Sequence, residues 1–332
     1  MLRLVTAGLT LAMLGNALAA TPTPRRGSAS APASCAAAAS TPAPSYYVST
    51  QVDLLSLIAP PPAAGSREAQ ADLAGVLAAQ RAAHADGTVE RAVADTEMTC
   101  ARFKDVLGPE LKSAAAAAAL KFIGDAAANA AGAAGTPRRY WKRARPFVVS
   151  PQVERLGDVA PGGSNAWGEY PEKHCEQPPP KDEKEAAKRQ ADKARQEKQR
   201  DYGSYPSGHA AYGMACAVLL AAAVPEKRSE LFARGRQYGE SRLIVGAHFP
   251  SDVAAGQQAA LLGTALVMQN ASFERQFVAA QAELRSALGL PAALPDLEPD
   301  KDLFKEPESK ETPAENAAGR PAENGRAPRP QR

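Results

Sequence analysis

Residues 209–224 contain no Asp, Glu, Lys or Arg, and most of them are Ala, Leu, Val, Met or Cys. The stretch reads as a helix that is apolar nearly all round, which is the pattern of a helix buried on every side. It is shorter than a typical membrane span, so other helices must enclose it. Pro225 ends it. Alanine, the best helix former, is abundant along the whole chain, and no segment alternates apolar and polar residues for long enough to suggest a strand. The expected fold is therefore all-α, a helical bundle around residues 209–224.

Helical periodicity supplies the neighbours. Residues 66–81 read as an amphipathic helix carrying Ala69, Leu73, Val76, Leu77 and Gln80 at helical spacing. Residues 89–107 and 110–131 read as two more, the second nearly an alanine tract suited to close packing. Further helices are expected over 231–245, 252–270 and, shorter, 279–288. Residues 46–58 form an apolar segment closed by Pro60, Pro61 and Pro62. Residues 181–200 mix Lys, Glu, Arg, Asp and Gln without an apolar stripe and read as a solvated helix or surface insertion. Their mixed signs argue against nucleic-acid or membrane contact.

The ends differ from the middle. Met1-Leu2-Arg3, an uncharged apolar run over 4–14 and Ala17-Leu18-Ala19 have the form of a signal peptide over residues 1–20. An uncleaved anchor is the alternative, but Thr21 onward turns at once to Pro, Ser and Ala. The expected layout is a flexible lead-in over 21–45, a helical domain over 46–292 with 181–200 as a charged insertion, and a disordered tail over 293–332. The mature chain is expected to be periplasmic or secreted, with no stable membrane insertion. An oxidising compartment permits disulfides among Cys35, Cys100, Cys175 and Cys216. Cys216, in an apolar run, reads as a buried free thiol at least as readily as a bridged one. If one bridge forms, Cys100–Cys175 is the favoured pair. A net charge of +3 gives no global argument for a nucleic-acid partner. No cysteine spacing suits zinc, and no dinucleotide, Walker or H-E-x-x-H motif is present. The oligomeric state stays open, a homo-oligomer among the options.

The chemistry lies in three blocks. Thr136-Pro137 suggests a helix start, which would put Arg138, Lys142 and Arg145 on one helical face ahead of Pro146. Pro206-Ser207-Gly208-His209 opens the central helix. Pro206 favours the first turn, whose amides and dipole attract an anion. Ser207 adds a hydroxyl, and Gly208 lets an oxyanion approach the backbone. Ser241-Arg242, five residues, His248, three residues and Asp252 form the third block. Pro250 marks a helix start there, so Asp252 can reach back to His248, fix its tautomer and leave the other nitrogen as a nucleophile. Arg242 offers a planar fork matched to phosphate oxygens. Such a site needs His248 neutral to attack and His209 charged to donate a proton, which points to an acidic to near-neutral optimum. A metal held by His209, His248 and Asp252 fits less well, because converging arginines suit an anion better than a cation.

Each block alone is common; their conjunction in order resembles the signature of the type 2 phosphatidic acid phosphatase superfamily. More narrowly, the chain resembles the bacterial class A non-specific acid phosphatases. Supporting residues are 57–62 (Leu-Ile-Ala-Pro-Pro-Pro), Arg143-Ala144-Arg145-Pro146-Phe147 and Gly203-Ser204-Tyr205. The resemblance covers about residues 46–285. It implies the helical fold shared by acid phosphatases and vanadium-dependent haloperoxidases, no cofactor, and hydrolysis of small phosphomonoesters through a covalent phosphohistidine. It implies His248 as nucleophile, His209 as general acid and Asp252 as the group orienting His248, with Arg138, Arg145, Ser207, Gly208 and Arg242 on the phosphate. Arg138 replaces the family's lysine, and Lys142, one turn along, is placed to compensate. Two alternatives share the motif. One is a lipid phosphate or pyrophosphate phosphatase, whose relatives usually cross the membrane several times. The other is a vanadate-dependent haloperoxidase. A non-catalytic anion-binding protein is a further option, against which the intact His209, His248 and Asp252 speak.

Overall fold

The computed structural model describes residues 53–108, 111–160 and 180–295, without the side chains of 192–200. The expected signal peptide (1–20), the expected lead-in (21–45), residues 46–52, all but the first three residues of the expected tail (293–332), Cys35 and Cys175 lie outside the described residues. Twelve α-helices follow in order: α1 (Leu54–Leu57), α2 (Arg67–Asp86), α3 (Val89–Ala94), α4 (Lys104–Leu107), α5 (Ala114–Ala131), α6 (Gly135–Trp141), α7 (Pro146–Val149), α8 (Glu183–Asp201), α9 (Gly208–Ala223), α10 (Arg228–Ile244), α11 (Pro250–Met268) and α12 (Ala271–Ala287). Among the described residues the nearest thing to a sheet is one isolated antiparallel bridge, Ala144 to Tyr202. The all-α expectation holds.

Helix ends follow local chemistry. Ser66, Ser113, Ser207 and Asn270 cap α2, α5, α9 and α12, each side chain accepting from an amide of the first turn. Gly87 ends α2 in the left-handed conformation. The apolar helix α9 is buried along nearly its whole length and packs against α5, α10 and α11, while α12 covers α5. The main core joins α5, α9, α11 and α12 to Phe103, Leu107, Leu231 and Tyr238.

Several expectations change. The helix expected over 89–107 breaks into α3, a 3₁₀ turn (Cys100–Phe103) and α4. The break is tied to packing: Asp95 takes Arg234 and Ser241, and the Glu97 carbonyl takes the Tyr238 hydroxyl. Arg138, Lys142 and Arg145 do not share a face, because α6 ends at Trp141 and Lys142 turns left-handed (φ 46°). The chain then runs extended through Ala144, and Arg145 precedes α7 with Pro146 at its first position. Pro206 lies outside α9, joined to Tyr205 by a cis peptide, and the helix starts at Gly208. Residues 181–200 do form a helix, α8, mostly exposed where its side chains are described. The last helix is longer than expected, starting at Ala271.

The favoured Cys100–Cys175 pair is not formed. Cys100 is bonded to Cys216, with Cα atoms 5.6 Å apart, and both are buried. Cys216 lies two turns beyond His209 on the same face of α9, and Cys100 lies four residues beyond Thr96, which meets His209. The contact that docks the 95–100 segment on α9 therefore brings the two sulfurs together.

Candidate active site

Three chain segments end at one place. The N-terminus of α9 brings Ser207, Gly208 and His209; the turn between α10 and α11 brings Arg242, His248 and Asp252; the extended stretch after α6 brings Arg145. Arg138 reaches in from α6, its Nε 3.4 Å from the Pro206 carbonyl. All the expected site residues therefore converge except Lys142, which is exposed and turned away from α6.

The α9 end is built by its cap. The Ser207 hydroxyl oxygen accepts from the Ala210 amide, and the Ser207 carbonyl accepts from Ala211. A hydroxyl that accepts one bond can still donate another. The Gly208 amide is left at the positive end of the helix for an anion. At the other end Gly246 (φ +76°) turns the chain sharply after α10, where a Cβ would lie 2.2 Å from the Glu154 carbonyl oxygen. That turn delivers His248 next to Arg145.

His248 is 1% exposed. Its Nδ1 is 2.7 Å from the Ser204 carbonyl oxygen, which can only accept, so Nδ1 carries the hydrogen. Its Nε2 faces Arg145 Nη1 at 3.1 Å, a pure donor, so Nε2 presents its lone pair. Burial, then Arg145, Arg242 and Arg138, hold the imidazole well below its usual value of 6.5. The ring is thus held neutral with its Nε2 lone pair directed at Arg145, and the group that orients it is not Asp252. Asp252 Oδ2 lies 3.7 Å from Nδ1, beyond hydrogen-bond reach. It instead accepts from the Phe249 amide (2.8 Å) and the Ser204 hydroxyl (2.5 Å). The capping geometry around Pro250 is present; the ring is oriented by the Ser204 carbonyl, and Asp252 acts on it through Ser204 and by charge.

His209 is also fully buried, its Nε2 3.1 Å from the Thr96 carbonyl oxygen. Burial and then Arg242 push it well below 6.5, opposed by Asp158. These protein neighbours favour the neutral ring of His209, so the charge that a proton donor needs has to come from a further negative group. A bound anion supplies what is missing, since a negative charge close by favours the imidazolium.

Arg242 is 1% exposed and donates from Nη2 to both oxygens of Asp158 (2.9 and 2.7 Å). Its Nε and Nη1 are buried without a hydrogen-bond partner among the described residues. Burial drives Arg138 down to about 9, helped by Arg145 and Arg139, so it still carries its charge in acid and neutral solution. Burial pushes the Asp158 carboxyl up, but Arg242 and His209 outweigh it and bring it below 3.8. Asp158 was not legible beforehand, because the 150–160 region has no periodic pattern. Ser204 and Arg143 stood in the quoted motif neighbourhoods, but nothing in their spacing announced their partners. No group of His, Cys, Asp and Glu among the described residues is arranged to hold a metal ion.

Residues 119–275 match the PAP2 superfamily. Over 85 residues the chain is 42% identical to a non-specific acid phosphatase of Salmonella typhimurium, covering 26% of this chain and 34% of that protein. It is 40% identical over 85 residues to an acid phosphatase of Zymomonas mobilis, covering 26% and 32%. It is 40% identical over 88 residues to a non-specific acid phosphatase of Providencia stuartii, covering 26% and 36%. The aligned stretch thus spans about a third of the length of these relatives. The matched residues 119–275 contain all three motif blocks, so this part of the chain is similar to the PAP2 superfamily.

Proposed function

We propose that this protein is an exported acid phosphatase that hydrolyses small phosphomonoesters of broad specificity through a phosphohistidine. One observation carries the reading: Arg242 keeps two buried donors without acceptors, beside Arg145 and the His248 lone pair. An unmet buried donor costs about 1–3 kcal/mol. A phosphoryl oxygen is the acceptor that fits, held by a planar fork. No described helix is long and apolar enough to cross a membrane. The acidic residues around the arginines pair with them and leave no cation cage, so the site needs no metal to bind phosphate.

In this reading the phosphoryl group sits among Arg138, Arg145, Arg242, the Ser207 hydroxyl and the Gly208 amide. Arg145 moves its Nη1 from His248 to a phosphate oxygen, which releases Nε2. Nε2 attacks phosphorus, the P–O bond to the alcohol breaks, and the departing alkoxide takes a proton from His209 Nδ1. Water, deprotonated by the now neutral His209, then attacks phosphorus, the bond from phosphorus to His248 Nε2 breaks, and phosphate leaves. Nδ1–H of His248 stays bonded to Ser204 throughout, and Asp252 stabilises the positive ring. The dianion itself raises His209, so substrate binding takes up a proton. Activity rises as pH climbs past the depressed value of His248 and falls once His209 in the complex loses its proton, which gives an optimum on the acid side.

The purified protein is expected to hydrolyse p-nitrophenyl phosphate in EDTA and to be inhibited by vanadate. Loss of activity on chelation would overturn the metal-free reading. His248→Ala is expected to abolish acid-labile phosphoenzyme, while His209→Ala still forms it from substrates with good leaving groups. Normal phosphoenzyme in His248→Ala would overturn the nucleophile assignment.

A further inference from the structure

Arg143 makes a set of contacts that phosphate binding does not explain. Its Nη2 donates to Asp72 Oδ2 at 2.7 Å, and its Nη1 donates to Asp252 Oδ1 at 2.6 Å and to the Ser251 hydroxyl at 2.8 Å. Its guanidinium lies over the Phe249 ring, 4.1 Å from the centroid. Ser251 ties the same cluster again, its amide and hydroxyl both donating to Asp72. Residues 143 and 252 are 109 apart in sequence, and Asp72 comes from α2, which otherwise contributes nothing to the site.

We propose that Arg143, anchored by Asp72, is the positioning residue for His248: it fixes Asp252 as an oriented carboxylate, and Asp252 through Ser204 aims the imidazole. The inference rests on His248 being the nucleophile.

The chain of contacts is continuous. Asp252 Oδ1 takes Arg143, and Oδ2 takes the Phe249 amide and the Ser204 hydroxyl. Ser204 then offers its carbonyl to His248 Nδ1. All three partners of Asp252 are placed as donors, which suits only the ionised form. A fully buried carboxylate is costly without a paired cation. The groups facing it are Arg143 from the extended stretch, Asp72 behind it on α2, Arg138 on α6, Tyr205 and Ser204 before α9, and His248 before α11. Of these, Arg143 is the cation in hydrogen-bond contact. Burial pushes the Asp252 carboxyl up, and Arg143 is the largest influence bringing it back. An arginine suits the place because one planar fork can bridge two carboxylates; a lysine cannot.

Arg143→Met, Arg143→Lys and Asp72→Asn separate charge from geometry when compared with the wild type on p-nitrophenyl phosphate, with vanadate as the anion probe. Arg143→Met is expected to lower kcat about 10- to 100-fold, the scale seen when a group orienting an active residue is lost. KM and the vanadate inhibition constant should stay within about threefold, because Arg143 does not touch the anion. The acid limb of kcat/KM should move to higher pH, since Asp252 then keeps its proton longer. Arg143→Lys should return the limb towards wild type but recover only part of kcat. Asp72→Asn removes a negative charge, so its limb should not rise although kcat falls. An unmoved limb in Arg143→Met, or a shared loss in KM and vanadate binding, would overturn the proposal. If Arg143→Met does not fold, Asp72→Asn and Arg143→Lys decide, and kcat within about twofold of wild type in both overturns it. A wild type inert towards p-nitrophenyl phosphate would sink the phosphatase reading instead. The positioning claim would then be tested by the NMR shift of the His248 Nδ1–H proton, which reports its hydrogen bond to Ser204, and an identical shift in wild type, Asp72→Asn and Arg143→Lys would overturn it.

Discussion

At the scale of residues, the His248 ring is set by a carbonyl, and the Asp252 carboxylate stands one step behind it. His248 Nδ1 meets Ser204 at 2.7 Å and Asp252 only at 3.7 Å. The distinction has a measurable size. Where a carboxylate alone fixes the tautomer of a catalytic histidine, its amide costs about 10⁴-fold in rate. Here the tautomer survives that change, so Asp252→Asn is expected to lower kcat about 10²-fold, by lost charge and a disturbed Ser204. A 10⁴-fold loss would mean that Asp252 bonds His248 directly during turnover. The identities of His209, His248, Arg242 and Asp252 were legible from spacing. The Ser204 carbonyl was not, because a backbone acceptor carries no sequence signal.

At the scale of elements, the site exists because two helix N-termini are pressed together. A Cβ on Gly256 of α11 would lie 2.2 Å from the Ser207 carbonyl oxygen at the cap of α9. A Cβ on Gly263, two turns further along α11, would lie 2.2 Å from the Ala130 carbonyl oxygen of α5. Backbone cannot yield as a side-chain tip can, so either Gly→Ala change is expected to cost about 1–3 kcal/mol of stability, seen as a lower Tm. Their effects on catalysis differ. Gly256→Ala separates Asp252 from Ser207 and is expected to lower kcat by about tenfold or more, roughly the effect of a small misplacement of reacting groups. Gly263→Ala acts away from the motifs and is expected to keep kcat near wild type. Equal kcat in the two variants would show that the helix approach does not set the site. The helix start at Ser66 was legible in the chain, whereas the caps Ser113 and Asn270 open helices that periodicity had begun at 110 and 279. The break of 89–107 into pieces was not legible, because it follows from Arg234, Ser241 and Tyr238 binding Asp95 and Glu97 from α10.

At the scale of the whole molecule, stability is tied to the state of the site. His209 and His248 are both buried and depressed below 6.5. The unfolded chain therefore binds more protons than the folded one once pH drops below about 6.5. Their contribution is fully present above that pH and is lost as pH falls through the folded values. The Tm of the phosphate-free protein is expected to fall from pH 6.5 downward, and His248→Gln should flatten the slope. Phosphate should raise the Tm, and more strongly at the acid end, because it favours the charged rings. A Tm that rose with acid in the phosphate-free protein would contradict the burial of two neutral imidazoles. The Cys100–Cys216 bridge spans 116 residues and ties α9 to the segment that receives His209. Its removal by Cys216→Ser with Cys100→Ser is expected to cost about 2–5 kcal/mol in denaturant unfolding.

By itself the amino-acid sequence determined the all-α class, the central apolar helix, several helix starts and the three blocks that meet at the candidate site. Those features depend on periodicity, caps and spacing within a few residues, which any local reading of the chain can recover. The tertiary structure alone decided that Ser204 holds His248, that Asp158 occupies Arg242, that Arg143 joins Asp72 to Asp252 and that Cys100 meets Cys216. Each of those contacts joins residues 44 to 116 positions apart. Such contacts form only when helices dock, and docking is set by the close approach of glycine and alanine faces summed over the whole core, which no short motif records.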